Sequence, residues 1–136
     1  MGLFGNIFGG NKNGEAADGN DNKKEIPWMP LREVDQLPEI KAKSDSRPQI
    51  IFKHSTTCGI SRMVLNMFKK NLEIVEDRAD LYFLDLHQNR NVSNQVASEF
   101  NVLHQSPQLL IIKNGEAVAD ASHGAITNVD LEAFFD

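Results

Sequence analysis

The chain reads as an α/β protein, a central mixed β-sheet flanked by helices on both faces. Three observations predict this class. Compact apolar runs of strand length recur along the sequence, segments with helical spacing separate the first of them, and Asn114-Gly115 joins the last two. Parallel strands linked through helices, followed by an antiparallel hairpin and a closing helix, form a mixed sheet covered on both sides.

In order, residues 1–25 come first and differ from the rest. They hold six of the nine glycines and five asparagines among Asp, Glu and Lys, a composition unable to offset chain entropy by burial, so we expect a flexible tail. Residues 26–136 form the expected domain. Trp28–Leu31 is a short extended piece whose Pro30 suits a sheet edge. Asp35 is placed to cap a helix from Gln36 to about Ser44, with Pro38 in its first turn and Leu37 and Ile40 on one side. Gln49–Phe52 is a buried strand, and Ser55–Gly59 breaks the pattern. From Ile60 the spacing is helical, Ile60, Met63, Val64, Met67 and Phe68 facing the core and Lys69 and Lys70 closing the last turn. Leu81–Leu84 is the next strand. Asn91 or Ser93 is placed to cap a helix through Phe100 that presents Val92, Val96 and Phe100. Ser106-Pro107 leads into the strand Gln108–Ile112, and Asn114-Gly115 turns it into Ala117–Ala119. Thr127 and Asp130 resemble a capping box opening a last helix, Val129–Phe135. This is the element order of a thioredoxin fold with its N-terminal strand and helix retained.

Composition excludes several functions. The 136 residues amount to about one domain, with 40% hydrophobic and 24% charged residues. Fourteen basic against nineteen acidic residues give a net charge of −5 without a basic cluster, which argues against a nucleic-acid partner. No apolar run is long enough to span a bilayer, and Met1–Gly10 lacks a secretory signal's basic n-region. A single cysteine forms no internal disulfide, so a reducing, cytoplasmic compartment is expected. His54, His87, His104 and His123 show no zinc-ligand spacing, and we expect no metal.

That cysteine, Cys58, stands where a strand gives way to a helix. Unpaired N–H groups and the positive end of the helix dipole favour a thiolate there, lowering the thiol pKa and making a nucleophile. Its neighbours Thr57 and Gly59 belong to a polar turn. Ser61 lies three residues on, where a second cysteine would resolve a mixed disulfide. A hydroxyl cannot do so, but it can donate a hydrogen bond to the thiolate. Pro107 stands where a cis proline would expose the backbone of Ser106 to an incoming segment. Lys53 and His54 precede the turn, either as a cation and proton carrier near the sulfur or as strand-end residues pointing away. His123, before the last helix, is a candidate to reach the same face. His87 and His104 read as solvated loop residues.

The string Ile51-Phe52-Lys53-His54-Ser55-Thr56-Thr57-Cys58-Gly59-Ile60-Ser61, with Ser106-Pro107-Gln108 and Ser122-His123-Gly124-Ala125-Ile126-Thr127, resembles the monothiol bacilliredoxins, thioredoxin-like proteins of the bacillithiol system. The resemblance covers about residues 26–136. Gly59 departs from the proline usual in that family. The resemblance implies redox homeostasis by removal of a low-molecular-weight thiol, bacillithiol or similar, from thiolated client proteins, with Cys58 as catalytic thiol. Ser61, Thr57, Gly59 and His54 support it, and Ser106, Pro107 and His123 meet the substrate. The small thiol is a co-substrate, no cofactor is bound, and a small thiol or reductase closes the cycle. Two other readings stay open. A thiol peroxidase fits Ser55-Thr56-Thr57-Cys58 superficially, although the last arginine is Arg90. A thioredoxin-like binding module would use the groove near Pro107 without turnover.

Overall fold

The computed structural model describes residues 26–55, 59–70, 75 and 77–135. The tail assigned to residues 1–25, and with it the expectation of flexibility, lies outside them, as do Thr56, Thr57 and Cys58.

Strands β1 (Met29–Pro30), β2 (Gln49–His54), β3 (Asp80–Asp85), β4 (Gln108–Lys113) and β5 (Glu116–Ser122) form one sheet in the order β1-β3-β2-β4-β5. β3 runs parallel to both β1 and β2, whereas β4 is antiparallel to β2 and to β5. Helices α1 (Gln36–Lys43), α2 (Gly59–Lys70) and α3 (Arg90–Glu99) pack on it. Among the described residues, no helix is long and apolar enough to cross a membrane.

Strand alternation divides the core in two. Ile50 lies opposite Leu81 and Ile111, and Phe52 opposite Phe83 and Leu109. These side chains meet Val64 and Phe68 of α2 on one face, with Ile126, Leu131 and Phe135 from the C-terminal segment. Ile51 lies opposite Tyr82 and Leu110 and packs on the other face with Leu37 and Ile40 of α1 and Val92 and Val96 of α3. Strand β2 is therefore buried along almost its whole length, as a central strand covered on both faces must be. Trp28 closes one rim of the α2 face, its ring 5.3 Å from Phe68 and 5.6 Å from Phe83.

The Asn-Gly turn forms as expected. Asn114 and Gly115 have φ of 53° and 80°, the double positive φ of the tight hairpin turn that matches strand twist. Ser44 at the end of α1 holds it: the Asn114 N–H donates to the Ser44 carbonyl at 2.9 Å and the Gly115 N–H to its Oγ at 2.8 Å.

Four local expectations need correction. Asp35 makes no side-chain cap. Gln36 orders the entry to α1 instead, its Oε1 accepting from the N–H groups of Arg32 and Glu33 and its Nε2 donating to the Pro30 carbonyl. Helix α3 starts at Arg90 after Asn89, so neither Asn91 nor Ser93 caps it, and Ser93 lies buried inside it. Met63 is 59% exposed, because the buried stripe of α2 is turned toward Ser61, Val64 and Phe68. The closing α-helix is two short 3-10 helices, His123–Asn128 and Leu131–Phe134, with Val129 extended between them. Thr127 Oγ1 donates to the Gly124 carbonyl at 2.9 Å, which takes the hydroxyl that a capping box would have used.

Candidate active site

Strand β2 ends at His54, and helix α2 begins at Gly59, the residue after Cys58 in sequence. Lys53 lies opposite Gln108 across the β2/β4 ladder, and Gln108 lies opposite Ser122 across β4/β5. The exit of β2, the entry to β4 and the exit of β5 therefore share one end of the sheet. There the structure brings together His54, Ser55, Gly59 and Ser61, the Ser106-Pro107 pair, and His123.

Ser61 is fully buried in the first turn of α2, and its Oγ accepts a hydrogen bond from the Ser55 N–H at 3.2 Å. This bond ties the exit of β2 to the start of the helix, spanning the six-residue step that contains Cys58. Because the hydroxyl is the acceptor, its own proton remains to be donated. Ser55 Oγ lies 3.4 Å from His87 Nε2. His87 is exposed in a loop, as the sequence suggested, and this contact sets it beside Ser55. Gly59 has open space where a Cβ would stand, so packing does not demand glycine there.

His54 tilts against Phe83, ring centroids 5.0 Å apart, and its Nδ1 is buried without a hydrogen-bond partner among the described residues. Burial holds its pKa below the ordinary imidazole value. Asp85, its register neighbour, pulls the other way, while His87 and Arg62 add to the lowering. A neutral ring at physiological pH follows, suited to accepting a proton rather than to supplying a fixed positive charge.

The Ser106-Pro107 bond is cis. The Pro107 carbonyl accepts from the His123 N–H at 3.0 Å, and His123 Nε2 lies 3.2 Å from Gln105 Oε1. His123, with φ of 56°, is thus bound to the proline segment by both backbone and side chain. The Ser106 Oγ is buried without a hydrogen-bond partner among the described residues.

Lys53 points away from the turn, as the second reading had it, but is buried rather than exposed, and His104 lies elsewhere than the sequence put it. Lys53 alternates with His54 and enters the opposite face of the sheet, fully buried, where its Nζ donates to the Ser93 carbonyl of α3 at 3.1 Å. Burial pushes its pKa down from 10.5 to about 8. His104 is not a solvated loop residue: its Nε2 lies 2.9 Å from Ser93 Oγ, and burial followed by the Lys53 charge lowers its pKa. Strand parity alone would have separated Lys53 from His54. The Ser93 link to His104 had no sequence signal beyond a serine within the Val92 and Val96 stripe.

The family model described as monothiol bacilliredoxin BrxC matches residues 29–131. A solved structure described as a candidate oxidoreductase with a thioredoxin fold is 35% identical, covering 72% of this chain and 84% of its own, with a TM-score of 0.62. Thioredoxin from Malassezia sympodialis, at 17% identity, covers 80% of this chain and 88% of its own with a TM-score of 0.61. Reduced Schistosoma mansoni thioredoxin pre-protein, at 21%, covers 78% and 96% with the same score. The last two show the fold alone. Matched over most of its length and built on the thioredoxin fold, the chain belongs to the monothiol bacilliredoxin family.

Proposed function

We propose that the protein is a monothiol disulfide oxidoreductase that removes a low-molecular-weight thiol, bacillithiol by the family resemblance, from mixed disulfides on client proteins. The observation that carries this reading is the convergence at one end of the sheet of the Ser55–Ser61 staple and the Ser106-Pro107 segment, which the His123 N–H holds at the exit of β5. One flanks the sequence position of the sole cysteine, and the other offers backbone to an extended client.

Cys58 acts as the thiolate, favoured by the unpaired N–H groups that open any helix. Its sulfur attacks the small-thiol sulfur of the mixed disulfide. The Cys58–S–S–R bond forms as the client's S–S bond breaks, and the client leaves as a thiolate that takes a proton. A second small thiolate then attacks the adduct, giving the symmetrical small-thiol disulfide and returning Cys58. Ser61, having no sulfur, cannot replace that second thiol. His54, neutral and half-buried, is the group suited to take the thiol proton.

The test offers a bacillithiolated and a glutathionylated client in parallel and follows the masses of client and protein. The wild type should free the bacillithiolated client and carry its adduct on Cys58. Cys58→Ser should abolish transfer, and Ser61→Ala should slow it without changing its stoichiometry. Release of neither client by fully reduced protein would overturn the reading in favour of a binding module. Release of the glutathione adduct alone would leave the mechanism and replace the thiol.

A further inference from the structure

On the sheet face away from α2 lies a polar cluster that the exchange chemistry above does not use. Lys53, Ser93 and Gln108 are each at most 1% exposed. Lys53 Nζ donates to the Ser93 carbonyl at 3.1 Å, and Ser93 Oγ pairs with His104 Nε2 at 2.9 Å. Gln108, opposite Lys53 in register and directly after Pro107, donates from Nε2 to the Leu103 carbonyl at 2.8 Å. The cluster thus grips residues 103 and 104 of the connection between α3 and β4 by two separate bonds, a few residues before the cis proline.

A fold selected for stability alone has little reason to keep this arrangement. Burying an ammonium is costly, and an apolar side chain of similar volume often serves as well or better. The Gln108 Oε1 is also buried without a hydrogen-bond partner among the described residues, a further cost. Polar groups retained at such expense beside a reaction site call for a role in the reaction.

We propose that Lys53 is a positioning residue for disulfide exchange: through Ser93 and His104 it fixes the connection that presents the Ser106 backbone to the client. Lys53 does not touch the reacting sulfur in this scheme. It sets how well an extended client segment is held, so its loss should raise KM and leave kcat and the intrinsic reactivity of Cys58 in place. The inference rests on the exchange reaction proposed above.

The experiment compares wild type, Lys53→Met and Ser93→Ala. Methionine keeps the length and apolar stem of Lys53 without its charge, and alanine breaks the bond to His104 while leaving the Lys53 charge. Three quantities are measured: KM and kcat toward a thiolated peptide, the rate of Cys58 alkylation by iodoacetamide, and amide exchange at Val102 and His123. The N–H groups of those two residues donate to Ala97 and Pro107. In both variants KM should rise about tenfold with kcat within about twofold, alkylation should be unchanged, and amide exchange at Val102 should quicken. Lys53→Met should also be at least as stable as wild type at neutral pH. Unchanged KM with quickened exchange would make the cluster purely structural and overturn the proposal. Alkylation slowed in step with turnover in Lys53→Met would replace positioning by a through-space field. Should Lys53→Met fail to fold, Ser93→Ala decides alone. If wild type itself does not turn over the peptide, the exchange reading has failed and the positioning role falls with it, whatever the amide data show.

Discussion

At the scale of single residues, Lys53 carries the clearest pH signature. Its pKa lies near 8 in the folded protein against 10.5 when unburied. Between those values the unfolded chain still holds a proton that the folded chain has released, so stability rises with pH across this window, and below it Lys53 adds no pH dependence but costs its full burial penalty. Tyr82 acts oppositely higher up. Burial first, then Asp80 and Glu39, push its pKa to about 12, so above pH 10 its contribution falls. We expect the unfolding free energy, read from the urea midpoint, to rise from pH 7.5 to 9.5 by at most about 2 kcal/mol from Lys53, and this slope to disappear in Lys53→Met. An equal slope in the variant would assign the effect to another group. The candidate site was partly legible at this scale. Ser61 was named from its spacing to Cys58, Pro107 and His123 from their places before a strand and before the last helix, and the structure sets all three at one end of the sheet. The burial of Lys53 was not legible, because what makes it tolerable is a carbonyl forty positions away on α3.

Among elements, the runs Gln49–Phe52 and Gln108–Ile112 could be read from sequence because a strand covered on both faces leaves an uninterrupted apolar stretch. The Asn114-Gly115 turn was legible for a different reason: few residues accept two consecutive positive φ values. Helix ends were not. Asp35, Asn91 and Thr127 are all good capping types, yet capping depends on which nearby donor is unpaired, and Gln36 and the Gly124 carbonyl settled two of the three cases. The glycines yield a prediction at this scale. Gly115 has φ of 80° and Gly59 has no such conformation, while both have room for a Cβ. Gly115→Ala should therefore cost about 1 kcal/mol through backbone strain, whereas Gly59→Pro, at the first residue of α2, should be nearly neutral in thermal unfolding. Equal losses at both sites would mean that crowding, not φ, sets the cost.

As a whole, the molecule is polarised. The end of the sheet holding Asn114, Gly115 and Ser44 is closed by two N–H groups of the turn donating to Ser44, and the opposite end carries the groups argued to do chemistry. Its two lateral edges have a consequence for solubility. The β1 edge is two residues long and includes Pro30, which has no N–H to offer. On the β5 edge the pairing steps from Ile111–Ala119 to Ile112–Ala117, leaving Val118 as an extra, bulged residue that is 46% exposed. A neighbouring chain seeking to extend the sheet meets a missing donor on one side and a broken ladder on the other, which is how soluble sheets avoid stacking into fibrils. Deleting Val118 should straighten the second edge and give concentration-dependent association, seen as rising light scattering at concentrations where the wild type stays clear. For the exchange reaction proposed above, edges that refuse other strands leave the proline segment as the place to receive an extended client.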